Sequence, residues 1–301
     1  MRDLPVDRAA AQKMRLSDGR KLAFALYGDP GGRPLFYFHG IPGSRREALV
    51  LDAPARELGL RVVAPDRPGM GESDFQRGRT LLGWAAADVA ELADYLGVRQ
   101  FGVAGTSGGG PYALAAAHAL GERLHFAASL AGWAPVGEAT VRAEFGRSAR
   151  VAVWLAGHAP LVLRAGFMIA ARRAHRPGYR PVSVAEWCEA DRALLADPAV
   201  AEFLAANQRE SFRRGARGPA LDAVLIYRGW GFAPDQIKVP VHFFHGSADR
   251  IVPFAFSQYL ARVVPGATLT AFEGQGHLCL IDRAGEVVRF LVASPSLQKQ
   301  P

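Results

Sequence analysis

Cysteine is scarce in this chain of 301 residues, where Cys188 and Cys279 are the only two examples. Two cysteines are too few for a disulfide framework, and these two lack the short spacing of a zinc-binding pair. We therefore expect two free, partly buried thiols and no metal site.

Lysine is also rare, so the formal net charge of +8 comes almost wholly from arginine. The arginines do not form a dense run interleaved with aromatic residues, and motifs for binding DNA or RNA are absent. Nucleic acid is therefore not an expected partner. The positive charge instead favours attraction of anions or acidic surfaces.

A hydrophobic leader is missing from the first residues, 1–5, which predicts a cytoplasmic protein. The apolar run over residues 151–171 is about as long as a membrane span, but it contains His158, Pro160 and Arg164. Because a charge in the middle of a membrane is costly, we expect neither a transmembrane helix nor stable membrane insertion.

The composition that remains is globular, with 50% hydrophobic and 21% charged residues. Residues 13–27 read as a hairpin that turns at Asp18 and Gly19. Short apolar runs then alternate with helical patterns as far as Trp133. This alternation predicts an α/β fold, with a mostly parallel central sheet flanked by helices.

The predicted strands cover residues 35–38, 60–64, 101–104, 126–130, 239–244 and 268–272, and the predicted helices cover residues 47–58, 81–96, 109–120, 256–264 and 285–292. Residues 134–235 interrupt the alternation with a helical, arginine-rich stretch. An insertion that returns to the same sheet is typical of a cap over the carboxyl ends of the strands, where ligands bind. We therefore expect a core of residues 1–133 and 236–301, and a helical cap of residues 134–235.

Residues 105–110 read Gly-Thr-Ser-Gly-Gly-Gly directly after a predicted strand, and two interpretations compete. A nucleotide-binding turn would need an acidic residue about twenty positions later, and residues 123–137 contain none. A phosphate-binding loop would need Gly-Lys-Ser or Gly-Lys-Thr, which does not occur. The other interpretation is a G-x-S-x-G turn that presents Ser107 as a nucleophile.

Four further motifs follow predicted strand ends: H-G-I-P-G at 39–43, D-R-P-G-M-G-E-S at 66–73, H-G-S-A-D at 245–249 and G-Q-G-H at 274–277. Together with the serine turn, in this order, they resemble the α/β-hydrolase family with a helical cap. The resemblance spans nearly the whole chain and specifies the cap least. It implies a triad in the family's order of serine, acid and histidine, which Ser107, Asp249 and His277 follow.

The resemblance also implies roles for residues around the triad. The backbone N–H groups of Ile41 and Gly108 are expected to form the oxyanion hole. We expect His39 to brace the loop that continues through Gly40. Asp66 is expected to shape the floor of the site rather than to serve as the triad acid.

The glycines beside the serine have a steric explanation. A Cβ atom at Gly105 or Gly109 would collide with the neighbouring strand and helix, so both positions favour glycine. His242 and His245 lie on a predicted strand and are expected to be structural.

Serine at position 107 favours acyl chemistry over the aspartate-dependent dehalogenases and epoxide hydrolases of the family. The expected activity is hydrolysis of a small carboxylic ester through an acyl-enzyme, with no cofactor. Hydrolysis of C–C bonds, perhydrolysis and amide cleavage stay open, as does a non-catalytic ligand-binding protein of this fold. Aromatic residues in and beside the cap favour a substrate with a hydrophobic acyl or aromatic part.

Residues 138–180 contain eight arginines against two acidic residues, Glu138 and Glu144. A solvated basic face is the expected interpretation. Two alternatives are selection of substrates that carry a carboxylate, and docking on an anionic membrane through the apolar residues 151–171.

Overall fold

The computed structural model describes residues 10–180 and 187–293. Its strands form one sheet in the order β1-β2-β4-β3-β5-β6-β7-β8. They are β1 (Gln12–Arg15), β2 (Lys21–Gly28), β3 (Arg33–Phe38), β4 (Leu60–Pro65), β5 (Phe101–Thr106), β6 (Leu124–Leu130), β7 (Val241–Gly246) and β8 (Thr268–Phe272). Strands β3 to β8 are parallel and only β2 runs against its neighbours, so the predicted mostly parallel sheet is confirmed.

The α-helices of the same residues are α1 (Asp52–Glu57), α2 (Leu81–Trp84), α3 (Ala90–Tyr95), α4 (Gly110–Ala119), α5 (Ala139–Ala143), α6 (Arg147–His158), α7 (Pro160–Ala174), α8 (Glu189–Ala196), α9 (Pro198–Ser211), α10 (Arg217–Ile226), α11 (Phe254–Val263) and α12 (Cys279–Ala293). Short 3-10 segments cover Arg45–Leu51, Ser107–Gly109, Gly121–Arg123 and Pro234–Gln236, and a π-helical turn, Ala85–Val89, joins α2 to α3. Within the described ranges, no helix is both long and apolar enough to cross a membrane.

Helices cover both faces of the sheet, which explains the unbroken apolar runs of its strands. In β3, the side chains of Phe36 and Phe38 join a core that includes Trp84. Leu35 and Tyr37 point the other way and join a second core, on the opposite face. The carboxyl ends of these parallel strands therefore open at one edge, between the two helical layers.

The predicted hairpin is confirmed by the antiparallel pairing of β1 with β2. Gly19 supplies the turn with a φ of 86°, a left-handed conformation that favours glycine. Other boundaries differ from the prediction. The last helix begins at Cys279 rather than near residue 285, because Leu280 and Ala284 continue its buried stripe by one more turn.

The helix predicted over residues 47–58 also differs, because it begins as the 3-10 segment Arg45–Leu51. The side chain of Ser44 accepts a hydrogen bond from Arg46 N, and the backbone N–H of Arg45 donates to Asp66 Oδ1 over 2.7 Å. These two bonds begin the helix earlier than the hydrophobic pattern suggested.

Helices α5 to α10 lie in the chain between β6 and β7. The apolar residues 151–171 within this stretch do not form one helix, because α6 ends at His158 and α7 begins at Pro160. Proline has no backbone N–H for the preceding helix and is well suited to a first helical turn. The two helices therefore meet at Ala159.

Candidate active site

Ser107 lies on the sharp turn between β5 and α4. Its φ of 53° is in the left-handed region, which a residue with a side chain rarely adopts. A Cβ atom on Gly105 would overlap the carbonyl oxygen of Gly109, and one on Gly109 would overlap that of Phe38. Both positions therefore have no room for a side chain, and the turn presents the serine hydroxyl at the carboxyl end of the strand.

The side chains of Ser107, Asp249 and His277 form one hydrogen-bonded chain. His277 Nε2 lies 3.0 Å from Ser107 Oγ, and His277 Nδ1 lies 2.7 Å from Asp249 Oδ2. Because an ionised carboxylate can only accept, Nδ1 carries the proton and donates to Asp249. The lone pair on Nε2 is then free to accept the hydroxyl proton of the serine.

Asp249 is buried, and its carboxylate is surrounded by donors. Burial alone would raise its pKa, but the positive charge on His277 and hydrogen bonds from His245 and His277 outweigh burial and lower the pKa below its usual range. The backbone N–H groups of Ile251 and Val252 donate to its other oxygen over 2.8 and 3.0 Å. Asp249 is therefore ionised wherever the fold is intact near neutral pH.

Burial tends to lower the pKa of His277, but the charge and hydrogen bond of Asp249 prevail and the pKa is raised. The negative charges of Asp191 and Glu47 add to this rise. The imidazolium that forms when His277 takes a proton is thus stabilised by its surroundings.

His245 has a closer relation to the site than its predicted structural role suggests. Its Nε2 lies 3.1 Å from Asp249 Oδ2 and 2.9 Å from the carbonyl oxygen of Val252, while its Nδ1 lies 2.7 Å from Ser257 Oγ. Two acceptors at Nε2 place the proton there. His245 therefore holds Asp249 in position, whereas His242 lies elsewhere, against Phe290.

His39 makes hydrogen bonds at both ring nitrogens to the backbone around the loop after β3. His39 Nδ1 lies 2.9 Å from the carbonyl oxygen of Gly40, and its Nε2 accepts from the backbone N–H of Arg67 over 3.3 Å. The guanidinium of Arg67 donates to the carbonyl oxygens of His39 and Gly40. A Cβ atom added to Gly108 would lie 2.6 Å from Ile41 Cγ2. The loop therefore brings Ile41 beside Gly108, next to the serine.

Asp66 is buried beneath the same loop and faces Arg45. The guanidinium of Arg45 lies 2.6 Å from Asp66 Oδ2, and the backbone N–H of Glu72 donates to the same oxygen over 3.1 Å. Burial raises the pKa of Asp66, and the charge of Arg45 opposes that rise. The Asp66 carboxylate therefore binds Arg45 and the Glu72 backbone rather than His277.

A cavity of about 280 Å³ opens beside Ser107 and His277. Its walls are mainly apolar and aromatic, with contributions from both the core and the helices between β6 and β7. The aromatic wall residues are Trp133, Trp187, Phe203 and Tyr227, and the aliphatic ones include Ile41, Val50, Leu195, Leu204, Ile251, Leu278, Leu280 and Ile281. Trp154, another aromatic residue of the cap region, is 57% exposed and does not line it.

Glu47 is the one charged side chain among the described residues that line this cavity, apart from the histidine. Both of its oxygens accept from Gly40 N, over 2.9 and 3.0 Å, and Tyr37 Oη donates to Oε1 over 2.9 Å. Burial raises the pKa of Glu47, and the hydrogen bonds from Gly40 and Tyr37 offset part of that rise. Nothing in the sequence pattern around Glu47 marks this residue as part of a site.

Asp191, on α8, was also missed. Its two oxygens accept from the backbone N–H groups of His277 and Leu278 over 3.0 and 2.8 Å. A Cβ atom on Gly276 would overlap the Asp191 carboxylate. A fully buried carboxylate from the predicted cap thus holds the loop that carries the histidine.

Cys188 and Cys279 are both free, as predicted, and they are fully buried rather than partly buried. Burial raises the pKa of the Cys279 thiol to about 12, so it does not act as a nucleophile near neutral pH. The described ranges contain no group of three or more histidine, cysteine or acidic side chains arranged to hold a metal ion.

A mostly parallel sheet that presents a serine on a strained strand-to-helix turn is the architecture of the α/β hydrolases. The model of the Alpha/beta hydrolase family matches residues 35–290, and the chain belongs to that family. The fold predicted from the sequence is confirmed, and hydrolase activity is supported by the match.

Individual relatives are more distant. The chain is 28% identical to a poly(3-hydroxyalkanoate) depolymerase from Ectopseudomonas oleovorans, over 91% of this chain and 88% of that one. It is 26% identical to a non-heme chloroperoxidase from Streptomyces lividans, over 87% and 91% of the two chains. Among solved structures, a hydrolase from Pseudomonas aeruginosa superposes with a TM-score of 0.69 at 22% identity, over 95% of this chain and 99% of that one.

Proposed function

We propose that the protein is a serine hydrolase that cleaves a small carboxylic ester through an acyl-enzyme on Ser107. One observation carries this proposal: the continuous hydrogen-bonded chain from Ser107 through His277 to Asp249. Such a chain lets a neutral hydroxyl act as a nucleophile, because a base accepts its proton and a carboxylate stabilises the charged base.

In the first half of the reaction, Ser107 Oγ attacks the ester carbonyl carbon while His277 Nε2 takes the hydroxyl proton. The tetrahedral intermediate collapses as the C–O bond to the alcohol breaks, and His277 returns its proton to the leaving oxygen. In the second half, water attacks the acyl-enzyme with the same proton transfers, which releases the acid and restores the serine. Asp249 stays ionised throughout.

The oxyanion of each tetrahedral intermediate needs hydrogen-bond donors that are already in place. We assign this role to the backbone N–H groups of Gly108 and Ile41. The proximity of these two residues and the bracing of their loop by His39 and Arg67 support the assignment.

The mainly apolar cavity favours an ester whose acyl or alcohol part is hydrophobic. Glu47 adds a negative charge to its wall, and no lysine or arginine belongs to the described residues that line it. Two alternatives were raised for the arginine-rich residues 138–180: selection of substrates with a carboxylate, and docking on an anionic membrane. The residues that line the cavity do not support the first of them.

Glu47→Gln is expected to weaken discrimination against acidic esters. Wild type should prefer a neutral ester to one of equal length that ends in a carboxylate. The variant should reduce that preference roughly tenfold, because it removes one repulsive charge from the cavity wall. The measurement is the ratio of kcat/KM for the two esters over a range of pH, and because burial raises the pKa of Glu47, the discrimination in wild type should grow as the pH rises. Glu91→Gln, on α3, is the matched control. An unchanged ratio in Glu47→Gln would show that this carboxylate only braces the loop.

Asp191→Asn is expected to lower kcat by about ten- to a hundredfold with a smaller change in KM, because the histidine loop loses one of two charge-assisted hydrogen bonds. Asp191 also helps to raise the pKa of His277. Since catalysis needs neutral His277, kcat/KM rises with pH through this pKa, and in the variant that rise should move to lower pH. Asp197→Asn, next to α8, is the control and should change neither kcat nor the pH dependence of kcat/KM. A lower kcat with an unmoved pH profile would leave Asp191 a purely structural residue.

Similarity to the Streptomyces lividans chloroperoxidase favours perhydrolysis as a second activity of the same site. Hydrogen peroxide would replace water in the attack on the acyl-enzyme and release a peracid. A p-nitrophenyl ester series of increasing acyl length, run with and without peroxide and beside a C–C hydrolase substrate, distinguishes these reactions. Ester cleavage that peaks at an acyl length matching the cavity supports the proposal. No cleavage of any ester would refute it.

A further inference from the structure

The outer surface of α6 and α7 is unusually apolar. Of eight large hydrophobic side chains that are exposed within the described ranges, six lie on these two helices. They are Val151, Trp154, Leu161, Val162, Met168 and Ile169. Leu161, at the corner between the helices, is 77% exposed. A monomer in water rarely exposes such a cluster unless it contacts another surface.

The charges around this cluster have one sign. Between Phe145 and Arg180 the sequence has seven arginines and no acidic residue. Arg147 and Arg150 are exposed at the start of α6, and Arg172 and Arg173 at the end of α7. At a rise of about 1.5 Å per residue, these outer ends lie roughly 15 Å along each helix from the apolar corner. Arginines thus lie at the outer end of each helix, beyond its exposed apolar residues.

The inner surface of the same two helices packs against residues that line the cavity of the candidate active site. Ala156 and Leu163 are buried and pack in one cluster with Ile41 and Tyr227. Ile41 and Tyr227 both line the cavity beside the serine. The apolar outer surface is therefore the outside of a wall whose inside supports the site.

We propose that the α6–α7 surface, defined by the six exposed apolar residues and their flanking arginines, docks reversibly on an anionic lipid membrane. Trp154, Leu161 and Val162 enter the boundary between headgroups and acyl chains, where helices with an apolar and a basic surface bind. The arginines pair with lipid phosphates at the same level. Neither helix spans the bilayer.

The apolar residues and the arginines of the α6–α7 surface together favour a lipid membrane over a second copy of this chain or an acidic protein. A second copy of this chain would bring arginine clusters of the same sign together, which opposes self-association through this surface. An acidic protein would pair with the arginines. It would not explain why Leu161 and Val162 are exposed at the corner between the helices. A bilayer of anionic lipids satisfies charge and apolar area at once.

The test is flotation of the full chain with vesicles of phosphatidylcholine alone or mixed with phosphatidylglycerol, at low and high salt. Wild type should bind the mixed vesicles, more weakly at high salt, and bind pure phosphatidylcholine poorly. Leu161→Ser with Val162→Ser should lose binding by about tenfold or more at both salt concentrations. Turnover of a water-soluble ester should be unchanged in this variant, which shows an intact fold.

Charge is tested separately, with Arg172→Glu and Arg173→Glu combined. This variant should lose binding to the mixed vesicles and most of the salt dependence. Arg77→Glu with Arg262→Glu, an equal change of charge at exposed positions elsewhere, should bind nearly as wild type does. Tyr95→Ser, which removes an exposed aromatic residue from α3, is the control for the apolar variant and should also bind.

Three results would overturn the proposal. The first is no flotation of wild type with the mixed vesicles at low salt. The second is binding that the arginine variant loses but Leu161→Ser with Val162→Ser keeps, which would indicate a purely electrostatic contact suited to an acidic protein. The third is a dimer in sedimentation experiments that the same apolar variant abolishes. None of these results depends on whether Ser107 is the nucleophile.

Discussion

Ser107→Ala is expected to reduce ester turnover by about a thousandfold or more while the protein stays folded. The variant keeps the cavity and the proposed oxyanion donors, so a small residual rate above that of water is expected. The hydroxyl of Ser107 does not stabilise the core, so its removal should not weaken the fold. Alanine is also smaller than serine and fits the turn. The unfolding temperature should therefore stay close to that of wild type.

The measurement is kcat/KM for a short p-nitrophenyl ester, with circular dichroism and thermal unfolding on the same sample. Ser211→Ala is a suitable control, because it removes a buried hydroxyl from α9 that does not line the cavity. It should retain near-wild-type turnover. Comparable turnover in Ser107→Ala and Ser211→Ala would mean that the serine turn is not the source of activity.

Asp249→Asn is expected to lower kcat by about ten-thousandfold, a loss close to that of the serine variant. The asparagine amide can present its NH₂ group to His277 Nδ1, which drives the proton of the imidazole to Nε2. His277 then cannot accept the proton of Ser107. Loss of the negative charge also lowers the pKa of His277, since Asp249 is the main reason that this pKa is raised.

The direction in which kcat/KM changes with pH follows from the raised pKa of His277. In wild type, kcat/KM rises with pH as His277 loses its proton, and the midpoint of the rise lies above the usual value for histidine. In Asp249→Asn, the remaining activity should show this rise at lower pH. A stopped assay across the acidic and neutral range measures both profiles.

Asp66→Asn is the control that separates the two candidate acids. Asp66 is ion-paired with buried Arg45, so its replacement leaves that guanidinium partly uncompensated and should cost stability. Turnover of the folded fraction should fall far less than in Asp249→Asn. Full activity in Asp249→Asn would remove Asp249 from the mechanism, whatever the behaviour of Asp66.

The parts of the fold that were predictable are those set by local sequence. The Gly-x-Ser-x-Gly pattern at residues 105–109 marks a sharp turn, although only the steric limit at Gly105 is local, since the limit at Gly109 comes from Phe38 on the neighbouring strand. Apolar runs such as residues 35–38 mark buried strands by composition alone. The sheet followed from the alternation of such runs with helical patterns.

The residues that the sequence did not reveal act over long separations. Asp191 and His277 are 86 positions apart, and no pattern in either segment indicates that their backbone and side chain meet. Glu47 was assigned to a helix and not to a site, because an acidic residue near a helix start is ordinary. Its place in the cavity depends on how the loop at Gly40 folds back over it.

The cap region was predicted least well in its details, for a related reason. Helical periodicity indicated helices but not which of their surfaces would be covered. The division of residues 151–171 at Ala159 was signalled by Pro160, whereas the exposure of Trp154 and Leu161 was not, since apolar residues in a helix are usually buried. Only tertiary packing of α6 and α7 on α10 decides which of them remain outside.

Covalent labelling with a fluorophosphonate tests the proposed nucleophile most directly. The reagent attaches to a serine hydroxyl only when a neighbouring base activates it, and peptide mass spectrometry identifies the modified residue. We expect one label per chain, on Ser107, and almost none in His277→Ala under the same conditions. A wild-type protein that stays unlabelled, or a label on another residue, would contradict the assignment of Ser107 as a nucleophile activated by His277.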